Sequence, residues 1–408
     1  MTRKTSHGPL LFTVYSVYFI CGMAICFEGA FMPEFKEHFH LNYQQQMYIM
    51  FAKNIPFVIF SILIGLLSKK IGFKNCLTVA LFLFAAGTAL LIPGLMHTDY
   101  YLLLTGFFIL GIAFNFELVA GNPLLLGLGD PSRSSSRLNL GNALGAIAQI
   151  IAPLIIILIV PATVVTVSGR IPYINRIFIA IAIILAFIGI LTLMIKDIRI
   201  SSFEKNPNEN SRFSGFTVVL KNKKLLLGFL AIFLTLGTEA GIFGLYRNYT
   251  EDLSVAGLSS RQSYTFFTIY FAVFAAGRLT GAYIQRRVKP AVTLTFSTVI
   301  AMILLLLMIT VNGNLALISV TLLGFFISIF FPTLYAISIE GSGSETGLAS
   351  GLLTMGFLGA AVIPVLQGKL ADLIGLKYSF IIGLAAYGYV LYYSLVVIRS
   401  GNLRIKES

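Results

Sequence analysis

NFELVAGNPLLLGLGDPSRSSSRLNLGNALGAIAQIIAP, residues 115–153, carries a carboxylate inside a long apolar run, then turns through a short polar loop into a second apolar run. The acid, Glu117, lies about midway along a stretch that is otherwise apolar from Tyr101 to Leu128. An ionisable group is costly in hydrocarbon, so its presence in a membrane helix is a functional-site hypothesis by default. The stretch therefore predicts two membrane helices, the first of which carries a functional acid.

The rest of the chain has the same apolar character. Of its 408 residues, 57% are hydrophobic and 11% are charged, against roughly 25% charged in an ordinary soluble domain. A helix needs about 20 apolar residues to cross a bilayer. We predict twelve such helices, approximately at residues 10–33, 45–68, 75–96, 100–128, 138–165, 172–195, 223–248, 262–285, 291–311, 315–339, 346–371 and 377–398.

The positive charge follows the membrane rule for cytoplasmic loops, so we do not expect a nucleic acid as partner. With the N-terminus placed inside, the cytoplasmic segments hold 20 of the 29 Lys and Arg residues and the outside loops hold 7. Such a bias sets the orientation of a membrane protein. The chain is predicted to be a multi-pass protein of the cell membrane, the cytoplasmic membrane if bacterial, with both termini in the cytoplasm.

The chain also repeats itself. LTGFFI at 104–109 returns as LLGFFI at 322–327, and the basic turn that follows Gly65 has a counterpart after Gly281. Duplicated six-helix halves around a midplane site are typical of secondary transporters. We predict an all-α membrane protein of two pseudo-symmetric halves, residues 1–195 and 223–408, joined by a hydrophilic cytoplasmic linker at 196–222.

Several motifs resemble one transporter family. They are the Asn-Pro at 122–123, LGDP at 128–131, RLNL at 137–140, GRLTG at 277–281 and, as the nearest match, the run from Phe331 to Asp372. On these motifs the chain resembles the major facilitator superfamily, and within it the fucose/glucose/galactose proton symporters. The resemblance implies the twelve-helix fold and transport by alternating access.

Two acids are the candidates for proton coupling. An apolar surrounding favours the neutral form of a carboxyl group, which a proton carrier near neutral pH requires. The resemblance assigns coupling to acids in helices 1 and 4, where this chain has Glu28 and Glu117. The family pattern has both acids one residue later, opposite Gly29 and Leu118, and such a shift turns a helix position by about 100°. The alternative for Glu117 is a structural hydrogen bond to Asn115 or Asn142.

Lys53 lies at a depth similar to that of Glu28, roughly 12 Å and 8 Å from the same side at 1.5 Å per residue. The two could form either a structural ion pair or a pair that opens when substrate or a proton arrives. The substrate-cavity candidates also include polar side chains of both halves, whose alternative role is interhelical packing. The full set is Lys53, Asn115, Asn139, Asn142, Glu239, Asn248 and Gln367. Gly145 stands where the resemblance implies an amide.

A cytoplasmic gate is predicted at Arg278 and at the basic turn after the second helix, where Lys69, Lys70 and Lys74 would also contact anionic lipid. Prolines near helix centres, Pro123, Pro153, Pro332 and Pro364, are expected to interrupt helical hydrogen bonding. The chain has no metal-ligand spacing and no phosphate-loop motif, so we expect no metal and no cofactor.

The sequence thus predicts a monomeric secondary active transporter of a small polar solute, with a sugar favoured by the resemblance. A proton is the expected coupling ion and sodium the alternative. An organic anion or another metabolite, bound with the help of Lys53, is the rival solute. A non-transporting receptor or scaffold is a second rival, although a scaffold gains nothing from charges within the membrane. An enzyme is not expected, because the spans contain no nucleophile and base in a catalytic arrangement.

Overall fold

The computed structural model describes residues 8–129, 133–195, 222–340, 342 and 346–407, and these ranges contain helices and turns but no strand. The predicted linker lies outside the described residues except for Asn222. The longer helices are α1 (Gly8–Ala30), α3 (Tyr43–Ile71), α4 (Phe73–Met96), α5 (Tyr100–Gly127), α6 (Ser134–Ile159), α7 (Val167–Met194), α8 (Lys223–Glu251), α9 (Ser260–Ile284), α10 (Pro290–Thr310), α11 (Asn314–Ile327), α14 (Leu358–Ile374) and α16 (Ile381–Glu407). Short helices α2 (Met32–His38), α12 (Phe330–Ile339), α13 (Thr346–Thr354) and α15 (Leu376–Ser379) complete the order.

Eleven helical segments within the described residues are long and apolar enough to cross a membrane. Eleven of the twelve predicted spans coincide with them. The remaining predicted span, 45–68, lies within the continuous helix α3, whose polar residues include Lys53 and Asn54. The all-α membrane fold predicted from hydropathy is therefore confirmed.

Local sequence explains where several helices begin. The side chains of Asp99, Thr166 and Asn222 accept hydrogen bonds from backbone N–H groups in the first turns of α5, α7 and α8. Ser259 and Gln262 form a reciprocal capping box at the start of α9. Such caps satisfy N–H groups that have no partner within the helix.

The four prolines expected to interrupt helical hydrogen bonding differ in their positions within the helices. Pro123, Pro153 and Pro364 lie inside continuous helices, so they remove single hydrogen bonds without ending the helix. Pro332 lies in the first turn of α12, just after the break that separates this helix from α11. A proline is tolerated there because the first N–H groups of a helix have no intrahelical partner.

The chain groups into two compact units. One falls within Met1–His40 and Ala52–Asn206, and the other within Leu41–Phe51 and Pro207–Ser408. The first turns of α3 therefore belong to the second unit and the rest of that helix to the first.

Each unit contains a close helix pair built on glycine. In the first unit, a Cβ on Gly22 of α1 would overlap the backbone carbonyl of Gly145 in α6. In the second unit, a Cβ on Gly237 of α8 would come within 2.7 Å of the carbonyl oxygen of Gly359 in α14. Gly237 follows Gly22 by 215 residues, and Gly359 follows Gly145 by 214 residues. Both separations are close to the repeat offset seen in the sequence. Small residues let helices in a membrane approach closely, so the duplication extends to helix packing.

Candidate functional site

Glu117 is buried on α5 beside α1. The side chain of Tyr18 and one carboxylate oxygen of Glu117 flank the same glycine, Gly121, one turn further along α5. The Tyr18 hydroxyl donates a 2.5 Å hydrogen bond to the amide oxygen of Asn122. Within the described part of the chain, the Glu117 carboxylate forms neither a hydrogen bond nor an ion pair. The carboxylate of Glu117 therefore has no fixed cation among these residues that would hold it in its charged form.

The expected alternative partners of Glu117 bond elsewhere. Asn115 donates to the carbonyl of Pro56 at 3.1 Å and accepts from the Ser61 hydroxyl at 3.1 Å, so its amide is directed at α3. Asn142 donates to the carbonyl of Leu138 in its own helix. The hypothesis that either asparagine fixes Glu117 structurally is wrong. The reason is rotation, because positions 115 and 117 differ by about 200° around a helix.

Helix α6 presents Asn139 and Asn142 as exposed side chains. Both are accessible within their unit, and their role in binding stays a prediction. Gly145 follows on the same helix, and a Cβ there would come within 3.3 Å of the Tyr18 carbonyl oxygen. The close approach of α1 explains why this position is occupied by a small residue instead of an amide.

Glu28 and Lys53 form an ion pair between α1 and α3, as their depths predicted. The Glu28 side chain is 1% exposed and that of Lys53 is 11% exposed. The ammonium group also lies 5.9 Å from the ring centre of Phe114. A close contact between Gly111 of α5 and the Lys53 backbone brings α3 and α5 together at this level. The ion pair thus joins α1 to α3, and the contacts of Lys53 with Phe114 and Gly111 join α3 to α5.

One oxygen of Glu28 remains without a partner. The Oε1 atom is buried and forms no hydrogen bond within the described residues. Glu28 borders a cavity of about 20 Å³ whose walls include Thr88 and Phe107. About 10–15 Å³ is enough to hold one water molecule. The carboxylate is therefore ion-paired through one oxygen and able to bond a small ligand through the other.

In the second unit, Glu239 of α8 lies within electrostatic range of Arg278 and Tyr270 on α9 and of Tyr387 on α16. Arg278 was predicted as a gate residue. It donates to the carbonyl of Ser328 at 3.3 Å and stacks on the Phe274 ring at 4.8 Å. These contacts fix the cation against α11 and its own helix, and a gating role stays a prediction.

Asn248 belongs to α8, and Gln367 of α14 packs against the same face of α8. The Gln46 amide donates to Asn248 at 2.7 Å, and the Gln367 amide presses against Gly241. Gly241 and Asn248 are two helical turns apart and so share a face. Gln367 is fully buried, and both its amide nitrogen and its amide oxygen are without a partner among the described residues. Buried amides are normally hydrogen-bonded, so this one has unused capacity for a polar ligand.

The basic turn between α3 and α4 differs from expectation at Lys74. Its side chain is buried, and the ammonium group lies 3.4 Å from the carbonyl oxygen of Leu193 near the end of α7. A cation is stabilised at a helix C-terminus by the unpaired carbonyls there. The prediction that Lys74 contacts lipid is therefore wrong. Lys70 is exposed, as expected, and the side chain of Lys69 lies outside the described part of the structure.

Two polar contacts were missed because their acids were assigned to loops or helix ends. Glu34 is fully buried in α2 and pairs with Arg170 of α7 at 3.1 Å. Asp372 of α14 accepts hydrogen bonds from the backbone N–H groups of Tyr43 and Gln44, at 2.7 and 2.9 Å, in the first turn of α3. A proline at 33, next to Glu34, was the available signal for a short helix there.

Comparisons with known proteins cover most of the chain. A sequence model described as the Major Facilitator Superfamily matches residues 14–364. A "Glucose/galactose transporter" of Brucella abortus is 29% identical over 97% of this chain and 95% of its own length. An "L-fucose-proton symporter" of Escherichia coli is 26% identical over 88% of this chain and 86% of its own length.

The crystal structure of the E. coli fucose:proton symporter matches with a TM-score of 0.68 and 23% identity, covering 96% of this chain and 99% of that one. This likeness concerns the fold. The family is shown by the sequence model, which matches most of the chain: the chain belongs to the Major Facilitator Superfamily.

Proposed function

We propose that this membrane protein is a proton-coupled secondary transporter of a monosaccharide, with Glu117 as the proton carrier. The proposal draws on the names of relatives that cover nearly the whole chain, a glucose/galactose transporter and an L-fucose-proton symporter. It also draws on the buried polar groups of both units. The observation that carries it is the Glu117 carboxylate, buried in the middle of a membrane helix with no hydrogen bond or ion pair within the described residues.

Burial without a cation makes Glu117 suitable for carrying a proton. A carboxylate with a fixed cationic partner stays charged, whereas one in apolar surroundings changes its charge when a proton arrives. Tyr18 lies beside it, and its hydroxyl bonds Asn122 of the same helix as Glu117. Protonation of Glu117 therefore alters the charge at a contact between α1 and α5, which is a route from proton binding to helix movement.

Glu28 and Lys53 have a different role in this proposal. Glu28 has a cation at one oxygen, and a nearby cation favours the charged form of a carboxyl group. Its other oxygen has no hydrogen-bond partner within the described residues, and Glu28 borders a cavity large enough for one water molecule. A hydroxyl of the solute, or a water molecule, that reaches this oxygen would weaken the pairing with Lys53. We propose that the ion pair of Glu28 and Lys53 responds to binding of the solute.

Polar side chains in each unit supply groups that suit a sugar. Sugars are bound by many hydrogen bonds from amides and carboxylates. Gln367 has a fully buried amide with both polar atoms unused, and Asn248 has a fixed orientation through Gln46. In the first unit, Asn139 and Asn142 are exposed amides on α6. We assign Gln367 and Asn248 to solute contacts of the second unit, and Asn139 and Asn142 to solute contacts of the first.

The rival proposal of an organic anion depended on Lys53 as an available cation. That ammonium group is paired with Glu28, so an anionic solute would have to displace a buried carboxylate. A neutral solute does not face this competition. The pairing therefore favours a sugar over an organic anion.

The test is the variant Glu117→Gln in protein reconstituted into vesicles. Gln keeps the shape of the protonated acid but cannot release a proton. We expect exchange of labelled for unlabelled sugar to persist, because exchange needs no net proton release. Uphill accumulation driven by a pH gradient should be lost, since the variant cannot complete the return step. The sugars to compare are glucose, galactose and fucose.

The matched control is Glu340→Gln, which neutralises an exposed carboxylate in the second unit that pairs with Lys224. This variant should accumulate sugar like the parent protein. Near-normal pH-driven accumulation by Glu117→Gln would assign the coupling to another acid, with Glu28 and then Glu239 as the next candidates. Failure of the parent protein to bind or exchange any of the three sugars would instead contradict the choice of solute.

A further inference from the structure

A groove on the second unit lies outside the candidate site. It has a volume of about 260 Å³ and runs between α9, α10 and α11. Its floor is formed where the end of α11 and the start of α12 approach α9. An added Cβ at Gly277 would collide with Phe325 of α11, and one at Gly281 would collide with Ile329, the residue before α12. Its walls are mainly apolar, and several of them are exposed, Phe296 by 63%. In a membrane protein such a surface faces lipid chains.

One end of the groove is basic. The turn between α9 and α10 is held by backbone hydrogen bonds from Arg286, Arg287 and Val288 to the last turn of α9. Val288 lines the groove, and its neighbours Arg286, Arg287 and Lys289 are exposed. Within the described residues, none of these three cations forms an ion pair or a side-chain hydrogen bond with another residue.

A buried polar atom lies at the same level. Thr293, in the first turns of α10, lines the groove and is 7% exposed. Its Oγ1 atom is without a hydrogen-bond partner in the described part of the chain. A buried hydroxyl normally has a partner, so its position in an open groove points to a ligand with an acceptor or a donor. The N-terminus of α10 lies at this end, and the helix dipole adds positive potential there.

These features match one class of molecule in three places. An acyl chain fits the apolar groove, an ester carbonyl can accept a hydrogen bond from Thr293, and a phosphate group can sit among the three cations. We propose that the groove is a binding site for an anionic glycerophospholipid. Zwitterionic lipid fills the same groove less well, because the cations then lack a matching net charge. The proposal does not depend on the identity of the transported solute.

The absence of tryptophan from the chain allows a direct test. Phe296→Trp introduces a single fluorescent reporter into the groove. Phe187→Trp places a matched reporter on α7, where the phenylalanine is 59% exposed and distant in sequence from the groove. Each variant is reconstituted into vesicles of 80% phosphatidylcholine and 20% phosphatidylglycerol. Bromine, which quenches indole fluorescence, is carried either by all of the phosphatidylglycerol or by an equal amount of the phosphatidylcholine.

We expect brominated phosphatidylglycerol to quench the reporter at 296 at least twofold more than brominated phosphatidylcholine does, and the reporter at 187 to show no preference. In the Phe296→Trp background, Arg286→Gln, Arg287→Gln and Lys289→Gln together should remove the preference. Thr293→Val, which keeps the side-chain shape, should reduce it, and serves as the test if the triple variant does not fold. Equal quenching at 296 by both lipids would overturn the proposal. So would no quenching by either lipid, which would mean that something other than lipid covers the groove, or a full preference that survives both sets of substitutions.

Discussion

At the scale of single residues, Glu28 and Glu117, the two candidates for proton coupling, differ in whether a cation is paired with the carboxylate. Glu28 has a cation, and Glu117 has none within the described residues. In an apolar interior, removal of one partner of an ion pair leaves an uncompensated charge, at a cost of about 3–5 kcal/mol, whereas removal of both can be nearly neutral. The same principle makes Glu117 sensitive to protonation and Glu28 sensitive to loss of Lys53.

We therefore expect strong energetic coupling between Glu28 and Lys53. Lys53→Met alone should lower the free energy of unfolding by about 3–5 kcal/mol, and the double variant Glu28→Gln with Lys53→Met should lose less than the sum of the single variants. Unfolding of the purified variants in one detergent measures the cycle. The exposed pair of Lys224 and Glu340 is the control, with a coupling of about 0–1 kcal/mol. Additive losses at Glu28 and Lys53 would contradict a functional contact between them.

At the scale of helices, glycine contacts determine how closely pairs pack. Gly22 allows α1 to touch the backbone of α6, and Gly359 allows α14 to touch the backbone of α8 at Phe233. Gly65, in α3, has no atom within 4 Å of an added Cβ. Glycine in a helix is otherwise destabilising by roughly 0.5–1 kcal/mol relative to alanine. Glycines in contact and glycines in open space should therefore respond oppositely to alanine.

We predict that Gly22→Ala destabilises the protein by about 1–3 kcal/mol, as overpacking does. Gly65→Ala should stabilise it by about 0.5–1 kcal/mol, because the chain loses less entropy on folding. Thermal unfolding of both variants beside the parent protein provides the comparison. If both substitutions change the free energy of unfolding in the same direction, the close packing of α1 on α6 does not control stability.

At the scale of the whole molecule, the distribution of Lys and Arg predicts one orientation in the membrane. The membrane rule places the segments richest in Lys and Arg in the cytoplasm, so residues 196–222 should face the cytoplasm and the turn between α8 and α9 should face outward. Leu253 in that turn is 93% exposed, which makes it suitable for labelling. The three native cysteines are all buried and can be replaced beforehand.

In a cysteine-free background, Leu253→Cys should react with an impermeant thiol reagent in intact cells. Ser202→Cys should react only after the membrane is opened. Labelling of both positions is compared by gel shift under the two conditions. Reaction of the cysteine at 202 but not of the one at 253 in intact cells would reverse the predicted topology.

The sequence by itself determined the membrane class, the helices, the repeated plan and the burial of Glu28 and Glu117. A membrane helix is recognised from about 20 neighbouring apolar residues, and a charge within it stands out in the same stretch. Both signals can therefore be read from local sequence. Tertiary structure alone decided where two polar side chains bond: Lys74 at the end of α7, and Asn115 on α3 instead of at Glu117. These contacts depend on how each helix is rotated about its axis, because successive side chains point about 100° apart around a helix. A helix that is apolar on every side does not reveal that rotation in its sequence. Only the packing of its neighbours, at contacts such as Gly22 and Gly111, determines which way each polar side chain points.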